Sequence, residues 1–475
     1  MTPIQTSARD PLAALPDARS THRPWRTEVI ETLRLAWPMA LTQLGQIAMM
    51  TTDLAMLGRL GDTVVAAASL AHTILFAAFV LGMGLVSAVA PLAAQAFGAR
   101  DPEGVRRALR VGLWACVLVG APLTLGLFWG EQLLVALGQE PTAAALAQRY
   151  LDGLAWSLIP AWVFIAVRGF MGAVNRPEPA LWIMLAAVPI NGLLAYGLIY
   201  GAFGLPRLEL LGAGLATTLV NIVMCAVAIY IAVTRAPFSQ YRIFGRFLHW
   251  DWPLMRMLLI IGGPIAGSFA LEYGLFGASA LLMGVIGTSE LAAHQIALQT
   301  AAIMFMAPFG VSMAATVRVG QALGRGDMPG VRRAGFVALA IATIFMALMT
   351  VLVAIWREAI PTWFLGSATA QPETALLASS LLLFGACFFI FDGVQTVGAG
   401  ALRGLNDTRV PLLFAAFSFW IVGIAGAYGF GFALGYGAPG IWVGLTLGLA
   451  VFAALLVWRF EKLSRRAHAW PTVAD

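Results

Sequence analysis

Charge is scarce in this chain. Only 11% of its 475 residues are Asp, Glu, Lys or Arg, and 60% are hydrophobic. A soluble domain wets its surface with about a quarter charged residues, so no water-soluble enzyme or nucleic-acid-binding domain fits this composition. The net charge of +6 is not gathered on a soluble domain, as a nucleic-acid surface would require. Cysteine is nearly missing too. Cys116, Cys225 and Cys387 each fall inside an apolar run, which excludes a disulfide framework or a cysteine metal cluster. No Walker-type loop, HExxH, GxSxG or CxxC pattern occurs, and no nucleophile–base constellation marks a membrane-embedded enzyme. Gly429, Gly431 and Gly435 sit in an apolar helix with no preceding strand, so they read as helix packing rather than a phosphate loop. The first thirty residues lack an apolar core. Arg9, Arg19, Arg23 and Arg26 are scattered there among Pro, Ser, Thr and Ala, which reads as a cytoplasmic tail and not a cleaved signal peptide.

What the chain has in abundance is long apolar runs. Segments in hydrocarbon must satisfy their own backbone hydrogen bonds, so they are helices or closed barrels. The runs fit the roughly 20 residues of a spanning helix, not the roughly 10 of a barrel strand. Spans are expected near 32–56, 66–95, 108–129, 147–172, 179–200, 210–234, 257–284, 291–320, 332–356, 375–401, 409–430 and 437–459. The spans 66–95 and 291–320 are long enough to protrude from the bilayer. Basic residues test this count independently, because short cytoplasmic loops are enriched in Lys and Arg. With both termini inside, only Arg59, Arg149, Arg207 and Arg357 of the 29 basic residues fall outside. One missed span would scramble that alternation. The expected fold class is therefore an all-α polytopic membrane protein, with twelve transmembrane helices in two pseudo-symmetric six-helix lobes. Its parts are a cytoplasmic tail over 1–30, a lobe over 31–235, a cytoplasmic inter-lobe loop over 236–256, a second lobe over 257–460 and a cytoplasmic tail over 461–475.

The chain also repeats itself. The run from Gln95 to Ala108 (QAFGARDPEGVRRA) matches that from Gln321 to Ala334 (QALGRGDMPGVRRA), a shift of 226 residues. The same shift carries Pro38 onto Pro264, Gly58 onto Gly284 and Gly61 onto Gly287. Later the likeness fades to Asn175-Arg-Pro against Asn406-Asp-Thr. Six helices per half makes the halves parallel repeats about an axis along the membrane normal. Two such lobes leave a cleft that can face either side, the geometry of alternating access.

Three acidic residues sit inside apolar runs: Asp53, Glu272 and Asp392. A carboxylate in the bilayer costs several kcal/mol and must face a cavity or a partner, which suits a group that trades a proton or binds a bare cation. Asp53 closes a stripe of Thr42, Gln46 and Met49 on one face of the first helix, and that face is expected to line a cavity. Glu272 follows the bending Pro264 by eight residues. Asp392 precedes Gln395 and Thr396 by one turn. Tyr273, Phe276, Phe388 and Phe389 stand near these acids, and Met49 near Asp53. Such side chains could hold a flat organic cation by cation–π contact and adaptable packing. His72 and His294 read as interfacial or structural, and Arg168 and Arg403 as headgroup anchors.

Together these residues resemble the multidrug and toxic compound extrusion (MATE) family, in its bacterial NorM-like branch, over about residues 28–460. The specific parts are Trp37-Pro38 leading to Thr51-Thr52-Asp53, the Gly-x-x-Asp-x-x-Gly-Val-Arg-Arg loops, and Leu271-Glu272-Tyr273. Others are Ala293-His294-Gln295-Ile296, and Phe391-Asp392-Gly393-Val394-Gln395 through Leu402-Arg403-Gly404. The resemblance implies a secondary active antiporter, not an enzyme, that exports cationic amphipathic compounds in exchange for H⁺ or Na⁺. It implies Asp53 as a cation or proton site, with Asn191 and Thr217 as its neighbours on the fifth and sixth helices. Glu272 and Asp392 are implied as the ion site of the second lobe. From their spacing alone, Gln46 beside Asp53 and Gln395 beside Asp392 are candidate supporting polar ligands. A bound Na⁺ would sit at Glu272, Asp392 or Asp53. Phe388 replaces a tyrosine, and Ala187 an asparagine, found in relatives, which removes oxygen ligands suited to Na⁺ and favours protons or a mixed scheme. No cofactor is expected, and the implied partners are small organic cations and the lipid bilayer. The implied setting is the bacterial inner membrane, as a monomer. A lipid-linked saccharide flippase is the alternative. It would carry a basic central cavity, whereas the intramembrane charges here are acidic. A major-facilitator carrier would show a different signature between its second and third helices.

Overall fold

The computed structural model describes residues 25–245, 247–365 and 372–465. Most of the expected N-terminal tail, Arg246 and the last ten residues lie outside these. Twelve long helices are present among the described residues: α1 (Trp25–Leu57), α2 (Thr63–Gly98), α3 (Pro102–Leu127), α4 (Pro141–Ala173), α5 (Glu178–Tyr200), α6 (Glu209–Thr234), α7 (Trp252–Ile286), α8 (Thr288–Gly324), α9 (Met328–Trp356), α10 (Glu373–Gly404), α11 (Arg409–Ala433) and α12 (Gly437–Ser464). All but α1 are long and apolar enough to cross a bilayer. α1 has the length, at 33 residues, but it carries Thr42, Gln43, Gln46, Thr51, Thr52 and Asp53. A helix this polar crosses only where other helices shelter its polar face.

An even number of spans returns the chain to its starting face. Arg318 and Arg333, at the end of α8 and the start of α9, meet Glu28 near the start of α1, and Arg332 meets Glu461 near the end of α12. We call this the termini face. At 36 and 37 residues, α2 and α8 run to about 54 Å at 1.5 Å per residue and overshoot the roughly 30 Å hydrocarbon layer.

Several helices run past the ends that hydropathy suggests. α1 starts at Trp25 rather than 32, because Glu28 finds a buried partner in Arg318. α7 starts at Trp252 rather than 257. Asp251 caps it by accepting the Leu254 N–H at 3.3 Å, with Pro253 in the first turn. Two seven-residue helices, Gly130–Ala136 and Ala359–Leu365, precede α4 and α10. They are too short to announce themselves in sequence.

The repeat has a structural counterpart at every level. Pro38 and Pro264 lie inside α1 and α7. One turn later Thr42 and Ser268 donate to the proline carbonyls at 2.7 and 2.9 Å, a bond that bends helices. The Gly-x-x-Asp-x-x-Gly motif is a helix start. Asp101 and Asp327 accept the N–H of Gly104 and Gly330 at 2.9 and 2.8 Å, as N-caps do. A Cβ on either glycine would stand 2.4 or 2.1 Å from the capping carboxylate, so a side chain there would push the cap aside.

α1–α6 and α7–α12 form the two lobes, which meet along a seam where α1 faces α8 and α7 faces α2. Small residues let the backbones touch. A Cβ on Gly84 of α2 would lie 2.3 Å from Ala266 Cα of α7, and one on Gly310 of α8 would lie 2.6 Å from Ala40 Cβ of α1. The 226-residue shift carries Gly84 onto Gly310 and Ala40 onto Ala266, so the seam is two-fold symmetric. Without a strong hydrophobic drive between helices in lipid, close contact of this kind is what associates them.

Candidate functional site

The three intramembrane carboxylates form two clusters, one per lobe. In the first, Asp53 stands one turn before the end of α1 and is 5% exposed. Asn191 on α5 donates to its Oδ1 at 2.6 Å, and Thr217 on α6 donates to its Oδ2 at 2.7 Å. Asp53 therefore points into its own lobe and does not reach for water along its helix. Asn191 is wholly buried, and its Oδ1 has no hydrogen-bond partner among the described residues. An orphan buried acceptor beside a carboxylate suits a proton donor or a bare cation.

The stripe on α1 behaves differently from expectation. Thr42 and Met49 are buried like Asp53, and Gln46 is half-buried, so this face packs inside the lobe. The face beside it borders an opening. Thr51, Thr52 and Met56 join Arg59, Tyr196 and Tyr200 around an open recess of about 530 Å³ between α1 and α5.

In the second lobe, Glu272 of α7 and Asp392 of α10 share one amide. Gln395 Nε2 donates to Glu272 Oε1 at 2.8 Å and to Asp392 Oδ1 at 3.1 Å. The two oxygens are thus at most 5.9 Å apart. Asp392 is 4% exposed and Glu272 half-buried. Two carboxylates this close repel when both are charged, and a proton or cation between them relieves the repulsion. Glu272 and Gln395 also edge a small cavity of about 30 Å³ that reaches Arg403, Asp407 and Thr408 at the termini side, with Phe269 and Phe309 on its wall. That volume holds about one or two waters, or one bare ion, and no organic molecule.

Other assignments change with the structure. Arg403 is not a headgroup anchor. It lines the cavity with Glu272, and its guanidinium lies 4.8 Å from the Phe269 ring centre. Arg403 is half-buried, while Arg168 is buried, at 5% exposure, and donates to Gln43 of α1. Both guanidiniums turn to partners inside the protein and not to lipid headgroups. Phe388 and Phe389 are 1% and 0% exposed. Phe388 packs against Phe276 and Trp442 at ring distances of 6.2 and 5.2 Å. Met49, Phe388 and Phe389 are thus packing residues in this conformation. Tyr273 is 46% exposed and meets Phe76 of α2 at 4.9 Å, across the seam. Phe276 is half-buried. His294 is fully buried. Its Nδ1 accepts from Trp442 Nε1 at 3.1 Å and its Nε2 lies 3.3 Å from Ser279 Oγ, a structural bridge between α8, α12 and α7.

The three acids and Gln395 were visible in sequence because mid-span polar residues are conspicuous. The recess beside Tyr196 and Tyr200, and the Arg403–Asp407 end of the cavity, were not. Aromatics are common in every span. The signal for the second was the Asn406-Asp407 half of the weak repeat, adjoining Arg403.

Fold and site together define a two-lobed polytopic α-helical membrane carrier with buried acid clusters. The MatE family model matches residues 38–197 and again 264–429, two blocks whose starts are the repeat-related Pro38 and Pro264. The chain belongs to the MatE family and to its NorM-like branch. It is 63% identical over 456 residues to a probable multidrug resistance protein NorM of Rhodopseudomonas palustris, covering 96% of each chain. It is 55% identical over 439 residues to the corresponding protein of Bradyrhizobium diazoefficiens, covering 92% of this chain and 94% of that one. Among solved structures, the eukaryotic MATE transporter AtDTX14 superposes with a TM-score of 0.83 at 22% identity, over 93% of this chain and 98% of that one.

Proposed function

We propose that this protein is a secondary active multidrug efflux antiporter. It exports cationic amphipathic organic compounds in exchange for H⁺ or Na⁺ by alternating access, works as a monomer in the bacterial inner membrane and keeps both termini in the cytoplasm. The observation that carries the reading is the pair Glu272 and Asp392 bridged by one amide in mid-membrane. A site with two acceptors and room for a single small ion binds one positive charge at a time. Arg403 across the cavity balances one of the two carboxylates, so when the coupling ion occupies the site no net charge is left over for a drug. When the ion leaves, the lobe carries an uncompensated negative group that attracts an organic cation. Tyr273 and Phe276 beside Glu272 supply aromatic faces for such a ligand. Asp53, held by Asn191 and Thr217, does the same in the first lobe. Drug and ion then compete for charge, and the rocking lobes exchange them without a separate motor.

The flippase reading is disfavoured by charge balance. The arginine that enters the cavity, Arg403, faces Glu272 and Asp407 across it. The test is efflux of a fluorescent cation from vesicles under imposed Na⁺ and pH gradients, applied separately. Asp53→Asn, Glu272→Gln and Asp392→Asn should each all but abolish ion-driven efflux at the ion concentration that half-saturates the parent, at normal expression. Unchanged efflux in all three defeats the assignment.

A further inference from the structure

The repeated motif contains one residue that the helix caps do not explain: its leading glutamine. Gln95 ends α2 and Gln321 ends α8, related by the 226-residue shift, and they are 6% and 0% exposed. Each reaches into the other lobe. Gln95 Nε2 donates to the carbonyl of Gly404 at 2.9 Å, and its Oε1 accepts from Asn406 Nδ2 at 2.9 Å. Gln321 Nε2 donates to the carbonyl of Ala173 and to Asn175 Oδ1, both at 2.9 Å. The acceptor loops are equivalent as well. Asn175 and Asn406 take left-handed conformations, with φ of 61° and 59°. Each N–H closes onto the carbonyl three residues back, at 2.9 Å in both. The glutamine motif and the fainter Asn turn of the sequence repeat are thus the two sides of one interaction, exchanged between lobes.

Backbone contact reinforces it. A Cβ on Gly98 would stand 2.2 Å from the Gln321 carbonyl oxygen, and one on Gly324 would stand 2.0 Å from the Gln95 carbonyl oxygen. The C-terminal ends of α2 and α8 cross here with no space for a side chain. All of these contacts lie at the termini face. In the other half of the seam, Phe76 and Tyr273 meet through apolar ring contact alone.

We propose that Gln95 and Gln321 form a two-armed latch, which closes the termini side of the inter-lobe seam and must be undone in both arms for that side to open. This rests on the alternating-access reading, and it names the positioning residues that set the balance between the two states. Direct amide bonds at a buried seam each favour the closed state by about a few-fold. Losing one arm therefore biases the equilibrium, and losing both compounds the bias.

The test reads conformation, not transport. In the full chain, with Cys116, Cys225 and Cys387 replaced by serine or alanine, spin labels are placed at Glu103→Cys and Pro329→Cys. These positions are exposed, repeat-related, and at the starts of α3 and α9. Pulsed dipolar distances are then measured in lipid nanodiscs. Gln95→Ala with Gln321→Ala should raise the ratio of long to short distances on the order of tenfold, and each single change should raise it less. Asn175→Gly with Asn406→Gly keeps the left-handed turns unstrained and removes only the side-chain half of each arm. It should shift the ratio the same way by a smaller factor, and it serves if the glutamine variant does not purify as a single species. Parental distances in the double variants overturn the latch even if efflux stays ion-coupled. Loss of ion-coupled efflux in the latch-intact carboxylate variants bears on the coupling site instead.

Discussion

Glu272→Gln is the most quantitative probe of the coupling site. The change keeps shape and removes one of two negative groups whose oxygens are at most 5.9 Å apart. At an effective dielectric constant of about 20, two unit charges at that distance repel by about 3 kcal/mol. That repulsion is what the doubly charged site relieves by taking up a coupling ion. Glu272 is half-buried, so solvent screens part of the interaction. Each 1.4 kcal/mol is tenfold, so the variant should bind the coupling ion about 10- to 100-fold more weakly. The assay is fluorescent-cation efflux from vesicles, titrated with Na⁺ at fixed pH and with H⁺ at fixed Na⁺. The half-saturating concentration of the true coupling ion should move by that factor, and the other titration should not respond. A half-saturating concentration within twofold of the parent in both titrations refutes the electrostatic account of the pair.

The remaining predictions concern the supports of the site and of the fold. Asn191→Ala removes the 2.6 Å donor to Asp53 and should weaken ion-driven efflux about tenfold or more, since a hydrogen bond to a charged group contributes about 1.5–3 kcal/mol; Asn191→Asp, measured alongside, should not restore it. Glu28 binds Arg318 through two bonds of 2.8 and 2.9 Å, both partners buried, so Glu28→Ala should lower thermal stability strongly, by about 3 kcal/mol or more. Glu28→Ala with Arg318→Ala should cost less than the sum of the single changes, and additive values would dismiss the pair. Gly330→Ala forces a Cβ to 2.1 Å from the Asp327 carboxylate and should cost about 1–2 kcal/mol by breaking the cap of α9, read as faster hydrogen exchange at the start of that helix. Burial would raise the Asp251 carboxyl, but Arg107, the Leu254 N–H and the nearby Arg110 outweigh it and hold it below its usual range. Its contribution is therefore present above the ordinary carboxylate range and is lost as pH falls through its depressed native value. Exchange protection at the start of α7 should fall with pH accordingly, and Asp251→Asn should flatten that dependence.

The membrane class, the twelve spans, the even count and the two-fold repeat were all legible in the sequence. They follow from local quantities: how much apolar length a bilayer demands, where basic residues can stay in water, and which residues recur 226 positions apart. The acids were legible for the same reason, since a carboxylate in oil stands out without knowledge of its neighbours. Their partners were not. That Gln395 serves Glu272 and Asp392 together, while Asp53 turns inward to Asn191 and Thr217, depends on how α1, α5 and α6 and then α7 and α10 are rotated against one another. Helical periodicity says which residues share a face, not which face meets which. The same limit hid the burial of Arg168, Phe388 and Phe389, the inward turn of Arg403, and the crossing of Gln95 and Gln321 into opposite lobes. Sequence spacing acts within one helix. The interhelical hydrogen bonds of the three acids, Gln95 and Gln321 join residues from 123 to 311 positions apart, and only the packing of the helices brings them together.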